Sequence, residues 1–418
     1  MRRFAPIFAS VTACAAAALI LGSAATSSET AAQATSPAGK KTIGLVLSTW
    51  NPAVHQSADE KAECPDGIQD TNRANWNVQF ATEEERNAIA KKYAYLGPNA
   101  TSSVTTPTWY MLNRGPEGQN VLHNPTAVTD KLPFKEVQGK IGLGLNLDDD
   151  TTGDASVKTC KHVNFTTPDG EPGIDNQLYR VYGCAHAWRQ GARFSNVFLI
   201  EPSLNRLLVR ITDVDDEMND DHVEVTLMKG LDRIVIDAGG KALPWLTQRI
   251  DQRYSEQFGH TTGRIVNGTL ETDPIDYKMP MNEHALETYR YIRGMRLKLN
   301  LKENSAEGLM AGYEDLTAWW QNFKTSFGYG VDTIGLWSPP GFYQAAVRNA
   351  DGYPDPKTGQ CTAISAAYKI NLARAFIIEP SADDPAVRDP KMRILRYPVF
   401  APKSAQNENA GVVEQAQE

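Results

Sequence analysis

Carboxylates and cysteines are the residues of this sequence whose types and spacing could do chemistry. Two acidic stretches stand on glycine-containing turns: Asp148-Asp149-Asp150-Thr151-Thr152-Gly153-Asp154 and Asp169-Gly170-Glu171-Pro172-Gly173-Ile174-Asp175-Asn176. A hard cation takes about six to eight oxygen ligands, and convergent carboxylates repel one another without it. Asp148, Asp150, Asp169 and Asp175 are therefore the expected ligands of a structural calcium ion, against the plainer reading of a solvated acidic surface. A third acidic run, residues 213–221, approaches the ligand spacing of an EF-hand. It has Met218 where that turn needs glycine, and reads instead as a solvated hairpin loop.

Cys160-Lys161-His162 and Cys184-Ala185-His186 repeat a C-x-H pattern. Two thiolates and two imidazoles could make a tetrahedral zinc or copper site, the basis of a metal or redox accessory role. Oxidation would remove the thiolate ligands. Cys64, Cys160, Cys184 and Cys361 form an even set beyond the N-terminal segment, so an exported chain should carry two disulfides. Three connectivities are open. Cys160–Cys184, the pair closest in sequence, is preferred, which leaves Cys64–Cys361.

The sequence contains no H-E-x-x-H, no G-x-S-x-G, no Walker loop and no full G-x-G-x-x-G. Carboxylates are plentiful enough for a glycosidase-like pair, but that abundance singles out none as catalytic. Aromatic residues gather between Tyr313 and Tyr343. Leu316, Trp319, Trp320 and Phe323 have helical spacing and predict a buried stripe. Trp337, beside Pro339-Pro340, is the candidate for stacking on a ligand, since it adjoins a turn.

These side chains must be positioned by a mainly β framework. Thr42–Leu47, Leu207–Ile211, His222–Leu227, Arg233–Ile236, Gly263–Leu270 and Met295–Leu301 read as short strands. Ile141, Leu143, Leu145 and Leu147 alternate with polar or glycine positions, as do Tyr368, Ile370 and Leu372. Thr82 and Glu85 form a capping box for a helix that Gly97 should end. Ser338-Pro339 opens another, ending near Asp351-Gly352. Many short alternating strands between Gly, Asp and Asn turns predict a jelly-roll-like β-sandwich with a loop-rich N-terminal region and a few packed helices. The expected organisation is a signal peptide and leader over 1–34, the loop-rich region over 35–137, the sandwich with helical insertions over 138–400, and a disordered tail over 401–418.

Arg2 and Arg3 precede an apolar run from Phe4 to Gly22, and small residues follow at Ser23-Ala24-Ala25 and Ala32-Gln33-Ala34. That is the pattern of a secretory signal. Val11-Thr12-Ala13-Cys14 offers a lipoprotein variant, but cutting there would halve the apolar run. The expectation is a periplasmic or extracellular protein with no later membrane span. With 42 Lys+Arg against 50 Asp+Glu, the net charge is −8. This balance argues against nucleic acid and anionic membranes as general partners.

The stretches Gly144–Asp148, Pro168–Asn176, Asn219–Asp221, Arg348–Asp351 and Ala363–Ser365 resemble those of uncharacterised secreted bacterial proteins. The resemblance implies an exported origin and carries no active residue with it. The function expected from the sequence is an exported, non-catalytic protein binding a ligand or partner. The alternatives are a secreted carbohydrate hydrolase using two carboxylates and a metal or redox accessory protein.

Overall fold

The computed structural model describes residues 39–68, 124–127, 134–151, 160, 162–185, 189, 206–283, 286–322 and 339–384, together with Glu84, Ala88 and Lys91. Period-two alternation builds its sheet, because successive side chains of a strand point to opposite faces. In β1 (Lys41–Pro52), Ile43, Leu45 and Leu47 are buried on one face. Leu207, Val209 and Ile211 of β2 (Leu207–Val214) do the same, as do Val223, Val225 and Leu227 of β3 (Asn219–Lys229). The register aligns these rows: Leu45 lies opposite Val209, and Val209 opposite Leu227.

The meander continues through β5 (Gly259–Val266), β6 (Thr269–Thr272), β8 (Leu286–Leu301), β9 (Ser305–Asp315) and β11 (Cys361–Ile378), each antiparallel to its predecessor. β11 then pairs with β1, placing Leu372 opposite Leu47. The sheet thus closes into an eight-stranded antiparallel barrel. Three strands attach outside this ring: β4 (Leu246–Arg249) and β10 (Gly352–Pro354) on β11, and β7 (Ile275–Glu283) on β8. The mainly β class agrees with the sequence, whereas the β-sandwich is replaced by a barrel. Alternation reports one buried face per strand in either architecture. Closure is decided by the β1–β11 pairing, which no local pattern encodes.

Eight strands leave an interior that side chains can fill. Here the inward rows are joined by Leu178, Val181 and Tyr182 of α1 (Gln177–Tyr182), by Leu316, Trp319 and Trp320, and by Phe342 and Ala345 of α2 (Pro339–Arg348), in one continuous core. The connections 214–219, 266–269 and 301–305 are short turns at one end of the barrel. The long insertions, 53–206, 230–258 and 316–360, all leave from the other end. Residues 213–221 are such a short turn, as the solvated-hairpin reading has it: Asp220 accepts the N–H of Asp215 and Asp216 that of Met218.

Residues 316–322 are helical, with Leu316, Trp319 and Trp320 at 6, 4 and 7 % exposure. Phe323 and Trp337 lie outside the described residues. Glu84, Ala88 and Lys91 are helical, within the stretch read as a helix from Thr82. Three strand expectations change. Gly263–Leu270 is two strands divided by a turn at Asn267-Gly268, both with positive φ. Arg233–Ile236 makes only an isolated bridge, Ile236 to Ala242. Residues 141–147 also make only isolated bridges. Their leucines pack on the outside of the barrel against Ala311, Tyr313, Ala363 and Ala367. Gly142 and Gly144 face outward under Phe165 and Ile174, where a Cβ would come within 3 Å of each. The alternation there marks a segment held between two layers, not a strand.

The disulfides are Cys64–Cys184 and Cys160–Cys361, with Cα separations of 5.7 and 6.3 Å, inside the roughly 4.4–6.8 Å that the bond allows. The expected Cys160–Cys184 and Cys64–Cys361 pairs are therefore corrected. Cys64 and Cys184 meet in a satellite core with Val137, Phe165, Ile174 and Tyr179, and Cys160 anchors the start of β11. Nearness in sequence does not report nearness across a barrel. The C-x-H metal site falls with it, since its two cysteines are bonded to different partners. Two disulfides suit an oxidising environment outside the cytoplasm.

β1 precedes residue 137, yet it is a stave of the barrel that the sequence places after 138. The compact unit to which it belongs begins at Ser36. The leader with Cys14 and the tail from 401 lie outside the described residues. Among the described residues no helix is long and apolar enough to cross a membrane, a statement that does not bear on strands.

Two outcomes are expected. Peptide mapping without reduction should recover Cys64 linked to Cys184 and Cys160 linked to Cys361; a Cys160–Cys184 fragment would refute this packing. Trp320, whose ring lies 5.0 Å from that of Tyr343, should cost about 3–5 kcal/mol of unfolding free energy when replaced by Ala, measured by urea denaturation.

Candidate functional site

The outer wall of the barrel carries a recess of about 440 Å³, lined by Leu147, Asp148, Asp149, Tyr313, Gly352, Tyr353 and Pro354. Three parts of the chain build it. The layered segment supplies Leu147–Asp149, the last turn of β9 supplies Tyr313, and β10 supplies Gly352–Pro354. Gly352 is required by close approach: a Cβ there would come within 2.3 Å of the Tyr313 ring. Two lining residues other than glycine have positive φ, Asp149 at 65° and Tyr353 at 55°. Such backbone costs of order 1–3 kcal/mol per residue and persists only where the surroundings enforce it.

A network of buried polar groups enforces it. Asn176 donates to the carbonyls of Ala53 and Leu143 and accepts from the N–H of Ala367, so it ties α1, the layered segment, the end of β1 and β11 together. The Ser365 hydroxyl accepts from the N–H of Gln177 at 2.8 Å and donates to Asp351 at 2.6 Å. Asp351 also accepts the Ser365 N–H at 2.6 Å. Asp175 accepts the N–H of Leu147 at 2.6 Å, and Asp148 that of Asp150 at 2.9 Å. On the far wall, a bulge in β8 between Arg293 and Arg296 turns Arg293 over the Tyr353 ring at 3.5 Å. Arg296 donates to the carbonyls of Asn146 and Leu147.

Three carboxyl groups share this wall. Asp175 is 0 % and Asp351 1 % exposed. Burial pushes Asp175 up to about 8, with the charges of Asp351 and Asp148 adding to it and the N–H of Leu147 opposing. Burial likewise pushes Asp351 up to about 7, against its bonds from Ser365 and with a further push from Asp148. The Tyr313 hydroxyl rises through burial and then through the same three carboxylates. Among the described residues, three buried polar atoms here have no hydrogen-bond partner: Asp175 Oδ1, Asn146 Oδ1 and Arg293 Nε. Buried polar atoms are almost always paired, so such a concentration beside one recess calls for a reason.

Of the four calcium candidates, Asp148 and Asp175 stand close enough for the charge of one to act on the other. Asp169 is exposed on its own turn, where the Thr167 hydroxyl holds it. Asp150 follows Asp148 in the same local turn. Among the described residues no group of three or more His, Cys, Asp or Glu side chains is placed to hold a metal ion. Trp337 cannot be placed; the described aromatic pair most open to solvent is Trp245 and Phe376, on the 230–258 insertion and β11. Asp351 and Tyr353 are the site residues that sequence reasoning misses. Asp351 reads in the sequence only as the end of a helix, and Tyr353 carries no local signal.

The chain matches no protein-family model, no curated protein and no solved structure.

The raised carboxyls make stability depend on pH. The unfolded chain releases these protons near pH 4, whereas the folded chain holds them to about pH 7 and 8. The stabilisation is complete below about pH 4 and is lost as pH rises through those values. The melting temperature of the Asp175→Asn protein should accordingly fall less between pH 5 and 8.5 than that of the wild type. Parallel curves for the two proteins would count against the buried-carboxyl assignment.

Proposed function

We propose that this is an exported, non-catalytic binding protein, periplasmic or extracellular, that holds a small ligand in the recess on the barrel wall. The observation that carries this reading is the coincidence, at one concavity, of two lining residues with positive φ, two carboxylates and two tyrosine rings. Ligand sites are typically concave, largely apolar and furnished with a few fixed polar groups, in volumes of roughly 300–1,000 Å³. The recess matches that description: Leu147, Pro354 and two tyrosine rings surround two carboxylates. The lumen offers less, because side chains fill it.

The two-carboxylate hydrolase draws some support from Asp175 and Asp351, whose raised values would suit a general acid. The geometry favours it less. Both lie behind the wall, and the carboxylates lining the recess, Asp148 and Asp149, are consecutive residues on one side. Glycosidic cleavage needs its two groups on opposite sides of the scissile bond.

Ligand-observed NMR with a library of small polar fragments tests the reading. Fragments that bind the full chain should lose at least tenfold in affinity to the Tyr353→Gly variant, which removes a wall of the recess while suiting the positive φ. Unchanged binding to that variant would place the ligand elsewhere.

A further inference from the structure

We infer that the wall recess recognises an organic ammonium group, with Asp148 as its carboxylate acceptor and the rings of Tyr313 and Tyr353 as its walls. The inference rests on the reading of the recess as a ligand site and names the class of ligand.

Charge comes first. Asp148 and Asp149 line the recess, and Asp175 and Asp351 stand directly behind it. The facing cations are engaged: Arg293 lies over Tyr353, and Arg296 donates to the carbonyls of Asn146 and Leu147. Among the described residues, those that line the recess include two carboxylates and no cation, which disfavours an anion. Among the described residues a carboxyl oxygen of the fully buried Asp175 has no donor, and burial together with its two acidic neighbours pushes that group toward its neutral form.

The kind of cation follows from the ligands present. A hard metal ion needs about six or more converging oxygens, and among the described residues no acidic or histidine set of three is so placed. An ammonium carries only three donors, and it also gains from an aromatic face within about 6 Å. Tyr313 and Tyr353 stand nearly at right angles, ring centres 5.5 Å apart, and form a corner beside the carboxylate. The volume leaves room for an organic body attached to that ammonium.

The test compares charged probes with uncharged counterparts of similar shape, benzylamine with benzyl alcohol and glucosamine with N-acetylglucosamine, by NMR titration of the full chain at pH 7. The amines should bind at least tenfold more tightly than their counterparts. That preference should vanish in Asp148→Asn, whose amide oxygen can still accept the N–H of Asp150 and so preserve the turn. Thermal melting of the variant checks that it folds; if it does not, loss of the preference in 0.5 M sodium chloride with the wild type serves the same purpose. Equal binding within each pair overturns the inference and leaves the recess as a ligand site. Displacement of the amines by micromolar calcium overturns it in favour of a metal. Binding of none of the four probes overturns both the inference and the reading beneath it.

Discussion

β11 has two antiparallel partners along its length, β9 and β1, and this double pairing turns an open sheet into a ring. Everything else described here hangs on that strand. Its outer face carries Ala363 and Ala367, small enough for the 141–147 segment to lie against the wall. Its Ser365 joins α1 to Asp351, and its Cys361 holds Cys160. Its end supports β4 in parallel register, Ala375 opposite Leu246. A closed sheet has no free edges to protect, so the outer decorations can serve purposes other than covering an edge.

Inside the ring, the same strand contributes Tyr368 to a buried polar cluster. Arg290 donates to Glu314 at 2.7 Å and to the Tyr368 hydroxyl at 2.8 Å, and Tyr368 also donates to Glu314 at 2.7 Å. The guanidinium lies 4.5 Å from the Trp50 ring centre. Both charged groups are desolvated, Glu314 completely, and among the described residues Glu314 Oε2 has no hydrogen-bond partner. Attraction between such charges roughly balances the loss of their hydration, so the pair adds little to stability. Its effect is on register: β8, β9, β11 and β1 each contribute one member, and slipping any of these strands by one residue would turn its member to the outside.

The fold was legible in the sequence as far as period-two alternation could carry it. Ile43 to Leu47, Leu207 to Ile211 and Tyr368 to Leu372 all report a buried face, because that pattern is local. Closure was not legible, since it depends on which distant strands share an edge. The disulfide pairing failed for the same reason. The site was half legible. Asp148 and Asp175 stand out as oxygens on glycine-containing turns, but Asp351 reads only as the stop of a helix. Its role comes from Ser365, which lies on the other side of β10. Tyr353 carries no local signal, because its positive φ is imposed by the neighbouring wall.

The position of the recess follows from these constraints. Filling the lumen is what an eight-stranded ring does with its inward apolar rows, and here residues of three helical segments join that core. The recess lies instead on the outside, between the wall and the layer packed on it. The layer is fastened on one side of that gap by Asn176 and on another by Ser365 and Asp351. Between the fastenings, Gly352 lets Tyr313 approach the backbone, and Tyr353 is held over the opening by Arg293.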